Sequence, residues 1–205
     1  MAQILVLNSS PAGDQSVSRL LVQDAVARLT AADPGATVVE RNLADVPVPH
    51  LISTSLNGVR GEPSTPAEHE ARALSDALLA ELKAADTLVI GSPMHNFSVP
   101  TTLRAWFDYV LRPGQTFAYS ETGPKGLLSG KRAILVLARG GLYTAGPAQS
   151  YDFQEPYLRL LLNFMGIVDI HVAHAEKLGM GPDARAAAIE HGRQTLATII
   201  DRVPA

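Results

Sequence analysis

The sequence predicts an α/β fold in which helices cover both faces of a parallel sheet. Apolar runs alternate with stretches of helical periodicity along the whole chain, and this order is typical of parallel sheets. The runs are almost continuously apolar, as expected for strands that are buried on both faces. A length of 205 residues suits one domain with a substantial core, so we expect residues 1–205 to form a single domain.

Five strands and five helices are expected in alternation. The strands are 4–7, 37–41, 87–90, 132–138 and 168–173, and the helices are 18–29, 66–83, 98–111, 151–165 and 184–203. Pro66 fits the first turn of the second helix, with Ser64 or Thr65 as its cap. This order of elements predicts a five-stranded parallel sheet of strand order 2-1-3-4-5.

Two segments have the composition of loops. Residues 42–66 are rich in Pro, Ser, Thr, Asn and Gly, and they are long for a loop inside a compact domain. Because this segment also carries His50, Leu51, Ile52 and Leu56, we expect it to dock on a second copy of the chain or to cover the ligand pocket. Residues 117–126 are rich in aromatic and turn-forming residues, which suggests a small hairpin or flap.

Composition and charge exclude several classes of protein and site. Hydrophobic residues make up 46% of the chain, which argues against disorder, and the net charge of -3 gives no reason to expect nucleic acid or an anionic membrane as a partner. Without cysteine, disulfides, thiolate metal sites and thiol catalysis are excluded, and we assign no metal site. We find neither a signal peptide nor an apolar run near the roughly 20 residues of a membrane span, so we expect a cytoplasmic protein.

Residues 91–100 form the most informative segment of the sequence. They connect the third strand to the third helix, at the carboxyl edge of the sheet, where open α/β proteins bind ligands. Met94, Asn96 and Phe97 crowd into this turn, a combination that suits a flat ligand with a polar edge. The alternative is that Met94 and Phe97 are core residues, which is the commoner role of such side chains.

The loop after the first strand, residues 8–18, indicates a phosphate site. It contains Ser9, Ser10, Ser16 and Ser18 and leads into a helix, so hydroxyls and the free N–H groups of the helix N-terminus can hold a phosphate without a cation. Neither a G-x-G-x-x-G nor a Walker A pattern is present, which favours a phosphomonoester over a pyrophosphate. Alternatively, Ser16 or Ser18 only caps the helix.

The loop after the fourth strand begins with Arg139, Gly140 and Gly141. Two consecutive glycines let a backbone approach a ligand closely. Alternatively, an isolated Gly-Gly sequence forms only an ordinary turn. In a sheet of order 2-1-3-4-5, the loops after the first, third and fourth strands meet at one point of the carboxyl edge. We therefore expect these three loops to form one site.

Together these loops resemble those of the FMN-dependent NADH-azoreductases, also described as FMN-dependent NADH:quinone oxidoreductases. The resemblance runs from residue 1 to about 203. It rests on Ser9-Ser10 with Ser16-Val17-Ser18, on Pro93-Met94-His95-Asn96-Phe97, on Thr116-Phe117-Ala118-Tyr119 with Gly123-Pro124-Lys125-Gly126-Leu127, and on Arg139-Gly140-Gly141. It implies a flavodoxin-like three-layer α/β/α sandwich and a homodimer that binds FMN near the interface between its subunits.

The resemblance also assigns residues to the cofactor and the substrate. The FMN phosphate would contact Ser10, Ser16, Val17 and Ser18; the isoalloxazine would contact Pro93, Met94, His95, Asn96 and Phe97 on one side and Arg139, Gly140 and Gly141 on the other. Asn96, Tyr119 and Phe164 would surround the substrate. The chain departs from the family at Val17, His95 and Ala138, where Gln, Tyr and Ser are frequent.

The function implied by the resemblance is transfer of electrons from NADH or NADPH, through FMN, to quinones and azo compounds. One pocket used in turn by donor and acceptor implies ping-pong kinetics. His95 is a candidate proton donor, because imidazole titrates near neutral pH; alternatively, it only packs or forms hydrogen bonds. The rival function is a non-enzymatic FMN electron carrier, but the weak, mixed charge argues against the acidic docking face that such carriers use.

Overall fold

A parallel sheet forms the centre of the protein in the computed structural model, which describes residues 2–201. The strands of the chain are β1 (Gln3–Asn8), β2 (Thr37–Asn42), β3 (Thr87–Pro93), β4 (Phe117–Ser120), β5 (Gly123–Gly126), β6 (Arg132–Ala138) and β7 (Asp169–Ala175). Five of them form a sheet of order β2-β1-β3-β6-β7, in which all pairs are parallel, while β4 and β5 form the predicted hairpin. The predicted order is confirmed, because β6 and β7 are the fourth and fifth strands of the main sheet.

Helices cover both faces of this sheet, as the three-layer sandwich requires. They are α1 (Val17–Ala32), α2 (Leu56–Arg60), α3 (Pro66–Ala84), α4 (Thr101–Val110), α5 (Glu155–Met165) and α6 (Pro182–Asp201), with 3-10 turns at Gly13–Gln15 and Pro147–Tyr151. Side chains of β3 alternate between two cores, since Val89 packs with α1 and α6 whereas Leu88 and Ile90 pack with α3, α4 and α5. Within residues 2–201, every helix is too short or too polar to cross a membrane.

Two helices begin later than the sequence predicts. The helix expected from residue 98 begins at Thr101, because a turn closed by two backbone hydrogen bonds between His95 and Ser98 precedes it. The helix expected from residue 151 begins at Glu155, because the Asp152 carboxylate accepts the Glu155 N–H and caps this later start. The last residues predicted for the final helix, 202 and 203, lie outside the described residues.

The segment 42–66 is not the uninterrupted loop that its composition predicts, because it contains α2. Asn57 and Gly58 are poor helix formers, and α2 is held from outside by Arg72, whose side chain donates to the Gly58 carbonyl. Elsewhere in the segment, Leu43 and Val48 are buried in the core, but Ile52 and Leu56 remain 59% and 46% exposed. Docking on a second copy, or covering the pocket, stays a prediction for these exposed residues.

The hairpin of β4 and β5 lies against the end of α5. A Cβ atom added to Gly126 would lie 2.2 Å from the backbone nitrogen of Gly166, so only glycine lets these backbones approach. The Leu128 N–H also donates to the Met165 carbonyl at 2.8 Å. Because α5 has 11 residues and a helix rises ~1.5 Å per residue, the hairpin is about 16 Å from the start of α5.

A buried arginine ties together the carboxyl ends of the central strands. The Arg139 side chain, which has no exposed surface, follows β6 and lies 2.9 Å from Asp152 and 3.2 Å from Glu176. Its Nε donates to Gln154 at 3.0 Å, and Gln154 donates to the Ser92 carbonyl at 3.1 Å. Since Glu176 follows β7 and Ser92 lies on β3, this network fixes the ends of neighbouring strands relative to the start of α5.

Glu155, the first residue of α5, extends the network. His174 Nε2 lies 2.7 Å from one carboxylate oxygen, and Arg159 Nε donates to the other at 2.7 Å. The hydrogen bond with His174 is the main cause that lowers the pKa of Glu155 to about 2; burial opposes it, and the bond from Arg159 supports it. The folded protein therefore favours the charged form of this carboxyl group.

Replacement of Glu155 tests this contribution. A carboxylate with a depressed folded pKa stabilises the protein above the ordinary value of 4.5 and loses that effect as the pH falls towards about 2. We expect Glu155→Gln to lower the free energy of unfolding at neutral pH by about 1–2 kcal/mol, given partial solvent exposure. Its stability should also decline less steeply than that of the wild type between about pH 5 and pH 2.

Urea unfolding measured across this pH range checks both expectations. Glu190→Gln is the matched control, because it removes an exposed carboxylate from α6. If Glu155→Gln and the wild type lose stability in parallel on acidification, the carboxylate does not contribute in the way described.

Candidate active site

The carboxyl edge of the sheet carries a cavity where the three predicted loops meet. Its volume is about 210 Å³. The predicted residues that line it are Ser10, Ser16, Val17, Ser18, Pro93, Met94, His95, Arg139 and Gly140. A second cavity of about 450 Å³ adjoins it, shares Pro11 and His95 with it, and takes in Asn96. The loops after β1, β3 and β6 therefore converge as expected.

The serine-rich loop presents hydrogen-bond donors to the first cavity. Ser16 caps α1, since its Oγ accepts the Arg19 N–H at 3.1 Å, and its contact with a phosphate stays a prediction. The same oxygen lies 3.2 Å from Ser18 Oγ. Val17 and Ser18 occupy the first turn of α1, where backbone N–H groups have no partner within the helix. Capping and ligand binding are therefore compatible in this loop.

The loop after β3 is not part of the core. Phe97 is 48% exposed, and Met94 is only half-buried, so the alternative that both are core residues is wrong. His95 and Asn96 are exposed as well. Met94 lines the first cavity, Asn96 lines the second, and His95 lines both, whereas Phe97 is not among the lining residues of either. The loop therefore offers exposed side chains between the two cavities, against which a planar ligand can lie.

The backbone of this loop adopts a rare conformation. Asn96 and Phe97 have φ angles of 46° and 71°, in the left-handed region of the backbone map that residues other than glycine seldom adopt. Two hydrogen bonds between His95 and Ser98, of 2.9 and 3.0 Å, close the turn, and the Phe153 N–H donates to the Phe97 carbonyl at 3.0 Å. Such strain persists only where surrounding contacts enforce it, and it is concentrated at functional sites.

The glycine loop after β6 is held by a second segment of backbone. The N–H groups of Lys177 and Gly179 donate to the carbonyls of Gly141 and Gly140 at 2.9 and 3.0 Å. The N–H groups of the two glycines themselves donate to no acceptor within residues 2–201. The carbonyl groups of this loop already accept hydrogen bonds, and its N–H groups are free. The loop therefore offers hydrogen-bond donors to a ligand at the edge of the cavity.

The side chain of Arg139 points elsewhere than the resemblance implies. Its guanidinium is enclosed by carboxylates, so only the backbone of Arg139 is available to a ligand. Glu176 in turn accepts hydrogen bonds from the Tyr143 N–H at 2.8 Å and from the Thr144 hydroxyl. Burial acts to raise the pKa of Glu176, but the hydrogen bonds from Thr144, Tyr143 and Arg139 outweigh it and lower the pKa overall.

Two predicted substrate residues lie far from this edge. Tyr119 is on β4 and Phe164 is near the end of α5, and both rings pack against Phe117, at centroid distances of 5.5 and 4.5 Å. Because α5 begins at the carboxyl edge and runs away from it, neither residue reaches the cavities of its own chain. Tyr119 is 74% exposed and faces outward.

Other residues at the edge are not predicted by the three-loop argument. Leu178 and Arg185 line the first cavity from the loop after β7 and from α6. The rings of Tyr143 and Tyr151 lie 6.3 and 5.8 Å from that of Phe97. The strand order places only the loops after the first, third and fourth strands at the expected site. Residues that follow the fifth strand are therefore identified as part of the cavity only in the structure.

The donor set of the first cavity fits the phosphate end of FMN. Among residues 2–201, those that line it include three serines and two arginines, of which only Arg185 has a side chain free to contact a ligand, and none is Asp or Glu. Such a lining favours an anion. The adjoining loop of exposed Met, Asn and Phe side chains fits a flat ring, so the two parts match the two ends of a flavin mononucleotide.

Known proteins match the chain over almost its full length. A family model described as "Flavodoxin-like fold" matches residues 2–200. The "FMN-dependent NADH:quinone oxidoreductase" of Hyphomonas neptunium is 58% identical over 199 residues, covering 97% of this chain and 96% of that protein. The protein of the same name from Ralstonia nicotianae is 46% identical, with 98% of each chain covered.

Solved structures agree with these matches. The azoreductase from Bacillus anthracis str. Sterne superposes with a TM-score of 0.90 at 30% identity, covering 99% of this chain and 100% of the other. The FMN-dependent NADH-azoreductase from Bacillus anthracis str. Ames Ancestor, solved in complex with FMN, gives a TM-score of 0.86 at 27% identity, with coverage of 98% and 100%. The chain therefore belongs to the flavodoxin-like family and, within it, to the family of FMN-dependent NADH:quinone oxidoreductases and azoreductases.

Proposed function

We propose that this protein binds FMN at the carboxyl edge of its sheet and transfers electrons from NADH or NADPH to quinones and azo compounds. The observation that carries the proposal is the pairing of a cavity that holds three serine hydroxyls and the Arg185 guanidinium with an exposed loop suited to a planar ring. The names of relatives at 58% and 46% identity, which specify FMN, NADH and quinone, support it. The proposal takes residues 1–205 as one domain.

The residues divide into three roles. Ser10, Ser16, Val17 and Ser18 hold the phosphate, and the loop Pro93–Phe97 packs against the ring. Bound FMN would supply the redox chemistry, taking a hydride from the nicotinamide and passing it to the acceptor, which also takes up one proton. The free N–H groups of Gly140 and Gly141, with the Asn96 amide, can stabilise negative charge on the ring.

A non-enzymatic electron carrier is the competing function, and steady-state kinetics separate the two. We expect the purified protein to be yellow and to oxidise NADH with a quinone, because donor and acceptor share one pocket that is open to solvent. Initial velocities at several quinone concentrations should give parallel double-reciprocal lines, as ping-pong kinetics require. Intersecting lines would contradict the shared pocket, and a protein that binds FMN without NADH turnover would be a carrier.

We further propose that His95 donates a proton to the reduced acceptor. Its exposed side chain lines both cavities and forms no hydrogen bond within residues 2–201, so the imidazole is available to a substrate. We expect His95→Gln to lower quinone turnover about tenfold and to flatten its pH profile near neutrality. FMN affinity, measured by fluorescence, should change much less than turnover, because the remaining contacts of the loop with the ring are kept. Full activity with the wild-type pH profile would leave His95 a packing residue only.

Our proposal includes a homodimer in which each subunit completes the site of the other. Tyr119 and Phe164 cannot reach the cavities of their own chain, yet the resemblance places them around the substrate. Exposed apolar side chains at the same end of the molecule, Leu127 and Val168 at 42% and 76%, favour burial against a second copy. A partner subunit would bring both aromatic residues to the opposite site.

Subunit complementation tests this arrangement. Ser18→Asp should prevent FMN binding in its own chain by placing a carboxylate in the phosphate site, and Tyr119→Ala combined with Phe164→Ala should impair the neighbouring site. Each variant alone should be nearly inactive. Refolded as an equal mixture, the two should recover about a quarter of the wild-type activity, because half of the dimers are hybrids with one intact site. Absence of recovery, with hybrids present by mass spectrometry, would contradict shared sites.

A further inference from the structure

We propose that Arg185 is a further cofactor-binding residue, whose guanidinium contacts the phosphate of FMN and makes the site select FMN over riboflavin. The inference rests on the proposed function and deepens it. The sequence alone predicts a phosphate held by hydroxyls and amides without a cation. The structure adds a cation from α6, the helix most distant in sequence from the serine-rich loop.

Arg185 is held at the phosphate end of the first cavity. It lines that cavity together with Ser10, Ser16 and Ser18. Its Nη2 donates to the Gln15 carbonyl at 3.0 Å, and Gln15 immediately precedes the residue that caps α1. This contact fixes the guanidinium beside the N-terminus of α1, where an anion would also meet the free N–H groups of the first turn.

The charge of Arg185 is not neutralised by the protein. It forms no ion pair with a carboxylate within residues 2–201, and only the bond to Gln15 engages its side chain. Arg139 and Arg193, by contrast, are paired with Asp152 and Asp24 at 2.9 and 2.8 Å. A guanidinium with free N–H donors is well suited to donate two parallel hydrogen bonds to the oxygens of one phosphate.

The buried serines point independently to an anionic ligand. Ser10, Ser16 and Ser18 are 7%, 5% and 1% exposed. Ser10 Oγ accepts the Ala12 N–H at 3.3 Å but donates to no acceptor in the described chain, and the contact between Ser16 and Ser18 uses only one of their two hydroxyl hydrogens. Buried donors without acceptors are costly, and phosphate oxygens would satisfy them.

The test compares FMN with riboflavin, which lacks the phosphate. The full-length protein is stripped of flavin and titrated with each ligand by quenching of flavin fluorescence. We expect Arg185→Ala to weaken FMN binding about tenfold, with riboflavin affinity unchanged and Arg185→Lys in between. Added salt should weaken FMN binding less in Arg185→Ala than in the wild type, because one screened attraction has been removed.

Arg19→Ala is the matched control. It also removes one positive charge near the N-terminus of α1, but Arg19 is not among the residues that line the first cavity. It lines a neighbouring cavity with Asp14 and Gln23, and the two cavities share Ser16. We expect the FMN affinity of this variant to stay within about twofold of the wild type, because a charge that makes no direct contact with the phosphate contributes little through water. Thermal unfolding by circular dichroism identifies any variant that fails to fold, and Arg185→Gln is the substitute if Arg185→Ala does.

The outcomes separate this inference from the proposed function. If the wild type binds no FMN, the proposed function and this inference both fail. If the wild type binds FMN but Arg185→Ala binds it equally well, or loses FMN and riboflavin to the same extent, only the role of Arg185 is overturned. An effect of Arg19→Ala equal to that of Arg185→Ala would also overturn it, since general electrostatics would then explain the loss.

Discussion

The buried charge of Arg139 is the constraint on which the active edge depends. A guanidinium without exposed surface is stable only if its partners stay in place, and those partners belong to different elements: Asp152 and Glu155 at the start of α5, and Glu176 after β7. Glu176 also holds the backbone at Tyr143 and Thr144. Displacement of the start of α5 or of the segment after β7 would remove part of this compensation from a buried charge, so the network resists movement of the loops around the cavity.

This constraint explains how the protein can combine a rigid edge with an exposed binding surface. The Arg139 side chain has no exposed surface and its carboxylate partners are at most 19% exposed, whereas serine hydroxyls and glycine N–H groups provide hydrogen-bond donors at the cavity. These groups bind without titrating near neutral pH. The described structure thus separates the charges that support the site from the neutral donors that line it, and Arg185 and His95 are the exceptions.

The sequence predicts the sheet and the three loops that meet at the first cavity, because both follow local patterns. Continuous apolar runs give the strands, and unusual residues at strand ends, such as Asn96 and Gly140, identify the edge. Elements that depend on distant partners are not predictable in this way. α2 packs on α3 and accepts a hydrogen bond from Arg72 of that helix. The side chain of Arg139 turns inward towards carboxylates from two segments, and Arg185 reaches the cavity through the packing of α6 beside α1.

The left-handed backbone at Asn96 and Phe97 has a consequence for how a cofactor is received. The unfavourable conformation is enforced by the turn between His95 and Ser98 and by Phe153, so its cost is met when the chain folds and not when the ligand arrives. A preorganised loop loses little conformational entropy on association. The flavin would then bind to a loop that already has its bound conformation. Less of the favourable contact free energy would be offset by ordering of the loop, and the affinity would be higher.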